Sequence, residues 1–138
     1  MEIPLYSDAL LDLYHDRLYF RRYYFPGGNR TFPLKEIRQL FVYRPGWLTG
    51  SYRFWGSGDF RTWSPCDYGR HTRDRMFLII KKNRWTRIAF TVEDSQGFMD
   101  ALDRLGLSPG SLEEYYLHRK EAGRRRMAEK QLERRAKR

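Results

Sequence analysis

The chain has little cysteine and no long apolar run, and both shortages exclude whole classes of protein. Cys66 is its single cysteine, so no disulfide can form within the chain. The longest apolar run, Met76 to Ile80, is far shorter than the ~20 residues that a membrane-spanning helix requires. The N-terminus has neither a basic start nor a long apolar stretch that ends in small residues, so it does not match a secretory signal. We therefore expect a cytoplasmic protein whose contact with a membrane is at most peripheral.

Histidine is also scarce, and its placement argues against catalysis. His15, His71 and His118 fall in a predicted turn, a predicted loop and the C-terminal tail, so no nucleophile is paired with a histidine and a carboxylate. Cys66 and His71 are close in sequence, but a zinc site requires about four ligands. The GSG at 56–58 lacks the further residues of either nucleotide-binding glycine loop and is interpreted as a turn. We expect no enzyme, no metal and no cofactor.

What the chain has in excess is positive charge. Its 138 residues include 27 Lys and Arg against 17 Asp and Glu, which gives a net charge of +10. This length suits one domain with an appendage. Residues 111–138 hold 10 basic residues against 5 acidic ones, so this tail carries half of the excess. Such a balance attracts acidic proteins, anionic membrane surfaces and nucleic acids.

Aromatic residues make up 17% of the chain, which favours strands over helices. Alternating apolar and polar residues predict a hairpin over 8–25 that turns at HDR, residues 15–17. A helical turn is predicted at 33–36, and a mobile polar loop at 64–74. The segments predicted to contain strands are 8–25, 30–32, 37–44, 52–55, 60–63, 76–80 and 85–92, with a turn at 56–59.

The two strands that follow this loop differ in their apolar pattern. Residues 76–80 read MFLII, which is apolar on both faces and predicts a fully buried strand. Ile88, Phe90 and Val92 alternate with polar or small residues, which predicts a half-buried strand. Together the two strands are predicted to form a hairpin.

Two helices are predicted after the last strand. Asp94 can cap a helix that runs to about Leu105, and Gly106 suits the position just past its end. Ser111 with Glu114 forms a capping box at the start of a second, highly charged helix. The predicted organisation is a domain over 1–107, a linker over 108–110 and a basic helical tail over 111–138 that is partly exposed.

These elements predict a mainly β, α+β fold, in which six or seven short strands form a curled antiparallel sheet or barrel capped by one helix. The runs LYHDRLYFRRYYFPGGNRTFPLKEIRQLFVYRP, YRFWGSGDFRTWSP and RIAFTVEDSQGFMDALDRLG resemble bacterial proteins with a pleckstrin-homology-like (PH-like) domain, over roughly residues 8–106. The resemblance lies in the order of an early hairpin, the PLKEI turn, a central Trp-Gly and a closing helix that contains Phe98. It implies a PH-like scaffold that binds a partner without catalysis.

The stretch 52–75 interleaves aromatic residues with arginines, and it has two interpretations. The aromatic rings can stack on bases or lie at a membrane interface while the arginines bind phosphate. Alternatively, alternate rings belong to the core and the arginines coat the opposite face. The candidate anion-binding residues are Arg53, Arg61, Arg70, His71, Arg73 and Arg75, together with Arg124, Arg125 and Arg126 in the tail.

The basic tail also has two interpretations. It can bind a polyanion with an affinity that falls as salt rises. Alternatively, it is a solvated helix with ion pairs such as Glu121–Arg125 and Glu133–Lys137. The leading hypothesis is a binding or adaptor domain whose basic tail engages an acidic protein partner or an anionic membrane surface. The alternative is a nucleic-acid-binding protein that uses the tail and the Arg61 to Arg75 region.

Overall fold

The computed structural model of the chain describes residues 2–24, 28–45, 62–65, 67 and 73–137. These residues form a mixed α+β fold that is mainly sheet and ends in a long helix. The strands are β1 Tyr6–Ser7, β2 Leu11–Leu13, β3 Arg17–Phe20, β4 Arg30–Pro33, β5 Ile37–Tyr43, β6 Thr62–Trp63, β7 Met76–Lys81, β8 Arg87–Phe90 and β9 Gly110–Ser111. A 3₁₀ turn at Leu34–Glu36 precedes β5, and the helices are α1 Ser95–Arg104 and α2 Leu112–Ala136.

The first sheet is an antiparallel meander in the order β1-β2-β3-β4. The predicted hairpin is confirmed, because Leu13 pairs with Leu18 across the turn and the Tyr14 amide donates to the Arg17 carbonyl at 2.8 Å. Leu11, Leu13, Leu18 and Phe20 are all buried, as the alternation predicted. Strand β1 was not predicted, because two residues are too few to show a period.

The second sheet has the order β6-β8-β7-β5-β9. Its three central strands are antiparallel, and the strands predicted within 37–44 and 76–80 are confirmed. The outer strands β6 and β9 pair in parallel, so the expectation of a purely antiparallel sheet was wrong. The expected number of strands was also too low, and the described residues form two sheets without a closed barrel. Gly110 lies in β9, although it was predicted to belong to the linker.

The main core lies where the two sheets and α1 meet. Phe98 of α1 is fully buried, and its ring lies 5.0 Å from that of Phe77 and 5.8 Å from that of Phe90. The predicted cap is confirmed, since the Asp94 carboxylate accepts from the Gly97 amide at 3.0 Å. Gly106 follows the helix with a φ of +73°, which glycine adopts without strain.

The start of α2 covers the outer face of the second sheet. Leu112 is buried there against Phe41, Leu78 and Ala89. Strand β8 is therefore buried on both faces, and the prediction of a half-buried strand was wrong. The alternating pattern predicted burial of one face only, because a small alanine does not indicate a core position. Ala89 is nevertheless small enough to lie under a helix.

The rest of α2 extends away from the domain. The predicted capping contact is present, because the Ser111 hydroxyl accepts from the Glu114 amide at 3.3 Å. Beyond Arg119 almost every side chain is exposed, including Met127 and Leu132. Among the described helices, neither combines the length and the apolar character needed to cross a membrane.

Much of the middle of the chain lies outside the described residues, including the predicted strand 52–55, the turn 56–59 and Cys66. Within the predicted loop at 64–74, Ser64 and Asp67 are only 5% and 3% exposed. These two polar side chains are therefore buried, and the Asp67 carboxylate accepts from Arg73 and Thr91.

Candidate anion-binding surface

Arg73 holds a buried carboxylate within the domain. Its Nε and one terminal nitrogen donate to the two Asp67 oxygens at 2.9 and 3.0 Å. The Thr91 hydroxyl donates to the same carboxylate. Hydrogen bonding to Asp67 raises the pKa of the Arg73 guanidinium, so its charge is fixed. Two of the donors of Arg73, a candidate anion-binding residue, are therefore already bonded to Asp67. These bonds attach the segment around residue 73 to the end of β8.

Arg75 differs from Arg73, although the two are separated by a single residue. Arg75 is exposed, and one of its terminal nitrogens donates to the Asp74 carbonyl at 3.1 Å. It borders a cavity of about 210 Å³ that Glu113 also lines. The Asp74 carboxylate accepts from the Ser95 hydroxyl at 2.7 Å, which fixes the backbone beside Arg75. The other candidates of this region, Arg53, Arg61, Arg70 and His71, lie outside the described residues.

The three consecutive arginines of the tail are exposed but do not form one patch. Arg124, Arg125 and Arg126 lie in α2, where successive residues point about 100° apart. The Nε of Arg126 donates to the Ala122 carbonyl at 3.4 Å. Among the described ion pairs, the two predicted for the tail, Glu121–Arg125 and Glu133–Lys137, do not occur.

One side of α2 is basic along its exposed length. We call this side the basic face, and its cations are Arg119, Arg126, Lys130, Arg134 and, just past the end of the helix, Lys137, with Glu133 as the one carboxylate among them. Spacings of three, four and seven residues keep these side chains on one side of a helix. The same spacing continues back to Leu112, so the face that packs on the sheet becomes basic where the helix leaves it. The sequence already contains this spacing, which the run of three consecutive arginines at 124–126 does not follow.

A pocket lies where the basic face meets the second sheet. This α2 pocket has a volume of about 190 Å³, and three arginines from three different elements line it, namely Arg38, Arg87 and Arg119. Ile80 lines it from the sheet, and Tyr115 and Tyr116 line it from the helix. No described residue that lines the α2 pocket is a carboxylate. Sequence reasoning missed this pocket, because nothing in the sequence connects arginines so far apart.

Contacts within the chain orient the groups of the α2 pocket. Ile80 pairs with Gln39 on one side and with Arg87 on the other, so one row of side chains crosses three strands. The Nε of Arg87 donates to the Thr62 hydroxyl at 3.0 Å. The Arg119 guanidinium lies 5.8 Å from the centre of the Tyr115 ring, a cation–π contact.

A second basic cluster surrounds the turn between β7 and β8. Lys35, Lys82 and Arg84 line an open cavity of about 700 Å³ together with Glu36. Lys81, just before the turn, is buried and donates to the Thr86 hydroxyl at 3.1 Å. Burial lowers the pKa of its ammonium group. This cluster contains a carboxylate, unlike the described lining of the α2 pocket.

Other polar clusters join parts of the fold. Asp8 accepts from the Tyr6 hydroxyl and, at 2.8 Å, from the Glu93 amide, which connects the first sheet to the start of α1. Burial, followed by the Asp8 hydrogen bond, raises the pKa of Tyr6. Asp12 is buried and accepts from both terminal nitrogens of Arg21, at 3.1 and 2.6 Å.

Within the described ranges, one group of side chains has the spacing of metal ligands. Glu2, His15 and Asp16 are exposed and place ligand atoms within 4.8 Å of one another. Arg17 donates to Glu2 at 2.9 Å and to Asp16 at 2.7 Å, and this hydrogen bond lowers the pKa of Asp16. The acidic groups therefore already have a cationic partner.

Comparison with known proteins gives no match for this chain, whether with family models, curated proteins or solved structures.

Proposed function

We propose that the chain is a non-catalytic binding module that engages a polyanionic partner through the exposed part of α2. The observation that carries this proposal is the basic face, which extends from the domain with five cationic side chains against one carboxylate, that of Glu133. Held on a helix, the charges are presented in fixed positions. A rigid row of cations attracts a polyanion and also restricts how it can lie.

We propose a PH-like scaffold for the domain beneath this helix. The order of elements supports it, since an N-terminal antiparallel meander is followed by a second sheet and then by a helix that closes the core. The ring of Phe98 supports it as well, because it lies 5.3 Å from Tyr6 in the first sheet and 5.0 Å from Phe77 in the second. In this proposal the domain anchors α2 and holds it in one orientation.

The partners expected from the sequence were an acidic protein or an anionic membrane surface, with nucleic acid as the alternative. Membrane insertion of α2 has the weakest support. Its exposed apolar residues Met127 and Leu132 are five positions apart, which places them on different sides of the helix. An interfacial helix requires a continuous apolar face. An acidic protein and a nucleic acid both remain compatible with the basic face, and the α2 pocket favours the latter.

Binding of anionic probes by two forms of the chain tests the proposed function. The first form is the full chain and the second ends at Ala122, which keeps the helical turns around Leu112 and Tyr115 that pack on the sheet. We expect the full chain to bind oligonucleotide or poly-glutamate with an affinity that falls log-linearly with salt. The shortened form should lose most of this binding. Equal affinity of both forms would contradict the proposal.

A further inference from the structure

The α2 pocket combines three arginines with two tyrosines, and this combination is specific enough to indicate a ligand class. All cations that line it are arginines, although lysines occur nearby in the sequence. Arginine offers a planar fork that binds phosphate oxygens in pairs, whereas lysine acts as a point charge. Without a described carboxylate among the lining residues, an anionic ligand meets attraction from the arginines on both the sheet and the helix.

The tyrosines add a second kind of recognition. Tyr115 and Tyr116 are half-buried, so part of each ring faces the pocket or solvent. Packing against Phe41 holds the Tyr115 ring in position, and the centres of the two rings are 5.0 Å apart. Exposed aromatic rings beside arginines bind unpaired nucleobases by stacking, and they do so with little preference for sequence. A carboxylate-rich peptide would make no use of these rings.

The size of the α2 pocket limits its occupant. Its volume of about 190 Å³ is smaller than that of an ordinary small-molecule site. The pocket therefore suits a single nucleotide unit better than a complete small-molecule ligand. The occupant must then extend beyond the pocket.

The basic face provides the path for that extension. Arg119 belongs both to the α2 pocket and to the basic face, which continues through Arg126 and Lys130 to Lys137. At 1.5 Å per residue, the distance from Arg119 to Lys137 is about 27 Å along the helix axis. Gly123 lies on the same side, and a Cβ placed there would contact nothing within 4 Å. A chain of phosphates could therefore approach the helix closely between Arg119 and Arg126.

We propose that the α2 pocket and the basic face form one binding track for single-stranded nucleic acid, with a base against the tyrosines and phosphates along the arginines and lysines. This inference rests on the proposed function and specifies its partner.

Fluorescence anisotropy of a short labelled oligothymidylate, measured with the full-length chain, tests the track. Arg38→Gln and Arg119→Gln remove pocket charges that belong to different elements, a strand and a helix. Each should weaken binding about tenfold and reduce the slope of log affinity against log salt by about 0.7. Tyr116→Leu keeps apolar bulk but removes the stacking ring, so it should weaken binding with an unchanged salt slope.

Arg125→Gln is the matched control. It removes the same charge from the same helix, but Arg125 lies on the side away from the basic face, with Glu121 and Glu129. We expect it to change the affinity less than about threefold. Equal weakening by this control and by the two pocket variants, Arg38→Gln and Arg119→Gln, would mean that binding depends only on total positive charge. That result would refute the track.

Competition distinguishes this inference from the proposed function. Poly-glutamate and phosphatidylserine vesicles, added at equal charge concentration, should displace the oligothymidylate poorly from the wild-type chain. Efficient displacement would indicate an acidic protein or a membrane as the partner and would overturn the inference alone. If the wild-type chain binds none of the three probes, the proposed function fails as well. Circular dichroism of each variant confirms folding, and Arg38→Gln serves as the test if Arg119→Gln disturbs α2.

Discussion

Asp67 shows how one buried charge can organise a segment that has no regular secondary structure. Its carboxylate is enclosed and accepts from Arg73 and Thr91, so the backbone around residues 67 and 73 is attached to the end of β8. A buried ion pair adds little stability compared with apolar residues in the same place. Removal of one partner is nevertheless costly, because it leaves the other charge buried without a counter-charge. Arg73 is therefore better explained by this contact than by ligand binding.

We expect Asp67→Asn to lower the free energy of unfolding by about 2 to 3 kcal/mol, the scale of hydrogen bonds to a charged group. The amide keeps the shape of the side chain but loses the charge opposite Arg73, whose side chain is only 20% exposed. Urea denaturation measures the loss. Asp100→Asn is the control, since Asp100 is exposed on α1 and its partner Gln96 can still donate to an amide oxygen. A similar loss in both variants would show that the Asp67 contact is not special.

Tyr23 makes stability depend on alkaline pH. Burial raises the pKa of its phenol to about 12, despite a hydrogen bond from Arg30 that lowers it. The unfolded chain ionises first, near pH ~10, so the contribution of Tyr23 is complete below that pH and is lost as the pH rises toward 12. The pKa of Tyr6 is also raised, and its effect has the same sign.

We therefore expect Tyr23→Phe to reduce the loss of stability above pH ~10. A single such group costs about 1 kcal/mol per pH unit in this range, and phenylalanine cannot ionise. Urea denaturation at about pH 9 and about pH 11 measures the difference between wild type and variant. Tyr6 remains in the variant, so the dependence should become shallower without vanishing. An unchanged dependence would refute the role of Tyr23.

At the scale of elements, α2 is one helix with two different environments. Leu112 is 1% exposed in the cluster beneath the helix, whereas Leu132 is 64% exposed. The helix is continuous between them, so its first turns belong to the domain and its remainder does not. The tail predicted over 111–138 therefore begins with turns that pack on the second sheet and continues with turns that are exposed.

The same substitution at two leucines of α2 tests this division. Leu112→Ala should lower the free energy of unfolding by about 2 to 3 kcal/mol, because it leaves a cavity under the helix. Leu132→Ala should change it by less than about 0.5 kcal/mol. Thermal and urea denaturation of both variants provide the comparison. Equal effects would mean that the docked turns contribute no more to stability than the exposed ones.

Two helical glycines provide a second comparison. A Cβ at Gly97 would lie 2.4 Å from a carboxylate oxygen of Asp94, which caps α1, whereas one at Gly123 would meet nothing within 4 Å. Gly123→Ala should therefore gain about 1 kcal/mol of local helix stability, seen as slower amide exchange around residue 123. Gly97→Ala should gain nothing in stability, because its Cβ would displace the Asp94 carboxylate that caps α1. The loss of this cap costs about as much free energy as alanine gains over glycine in helix propensity. Slower exchange and higher stability in both variants would contradict this difference.

Local signals predicted much of the fold, because they depend on neighbours in sequence. The hairpin at HDR, the buried strand at 76–80 and the cap at Asp94 each follow from a few adjacent residues. Contacts between distant segments were not predictable. The parallel pairing of Thr62 with Arg87 and the burial of Ala89 depend on elements that the pattern of either strand cannot reveal.

The same distinction applies to the candidate surface. Exposure of the tail arginines was predicted from composition and is confirmed, but the sequence did not show that Arg119 joins Arg38 and Arg87 around one pocket. That arrangement requires α2 to cross the outer face of the second sheet. The helix is in turn positioned by Leu112, an ordinary apolar residue within a charged stretch.

At the scale of the whole molecule, α1 connects the two sheets. The ring of Phe98 contacts Tyr6 of the first sheet and Phe77 and Phe90 of the second. Phe20 adds a direct contact, since its ring centre lies 5.2 Å from that of Phe90. One continuous cluster of rings therefore belongs to both sheets, and we expect them to unfold together.

Phe98→Leu tests this cooperativity. The smaller side chain keeps an apolar group in the core but loses the ring contacts, and we expect a loss of about 2 kcal/mol in the free energy of unfolding. Amide hydrogen exchange should show the same loss of protection in β3 and in β7, which belong to different sheets. Ile3→Ala, at a residue 87% exposed, should change neither strand. If β3 loses protection while β7 keeps it, the sheets are separate folding units, and α2 is then anchored by the second sheet alone.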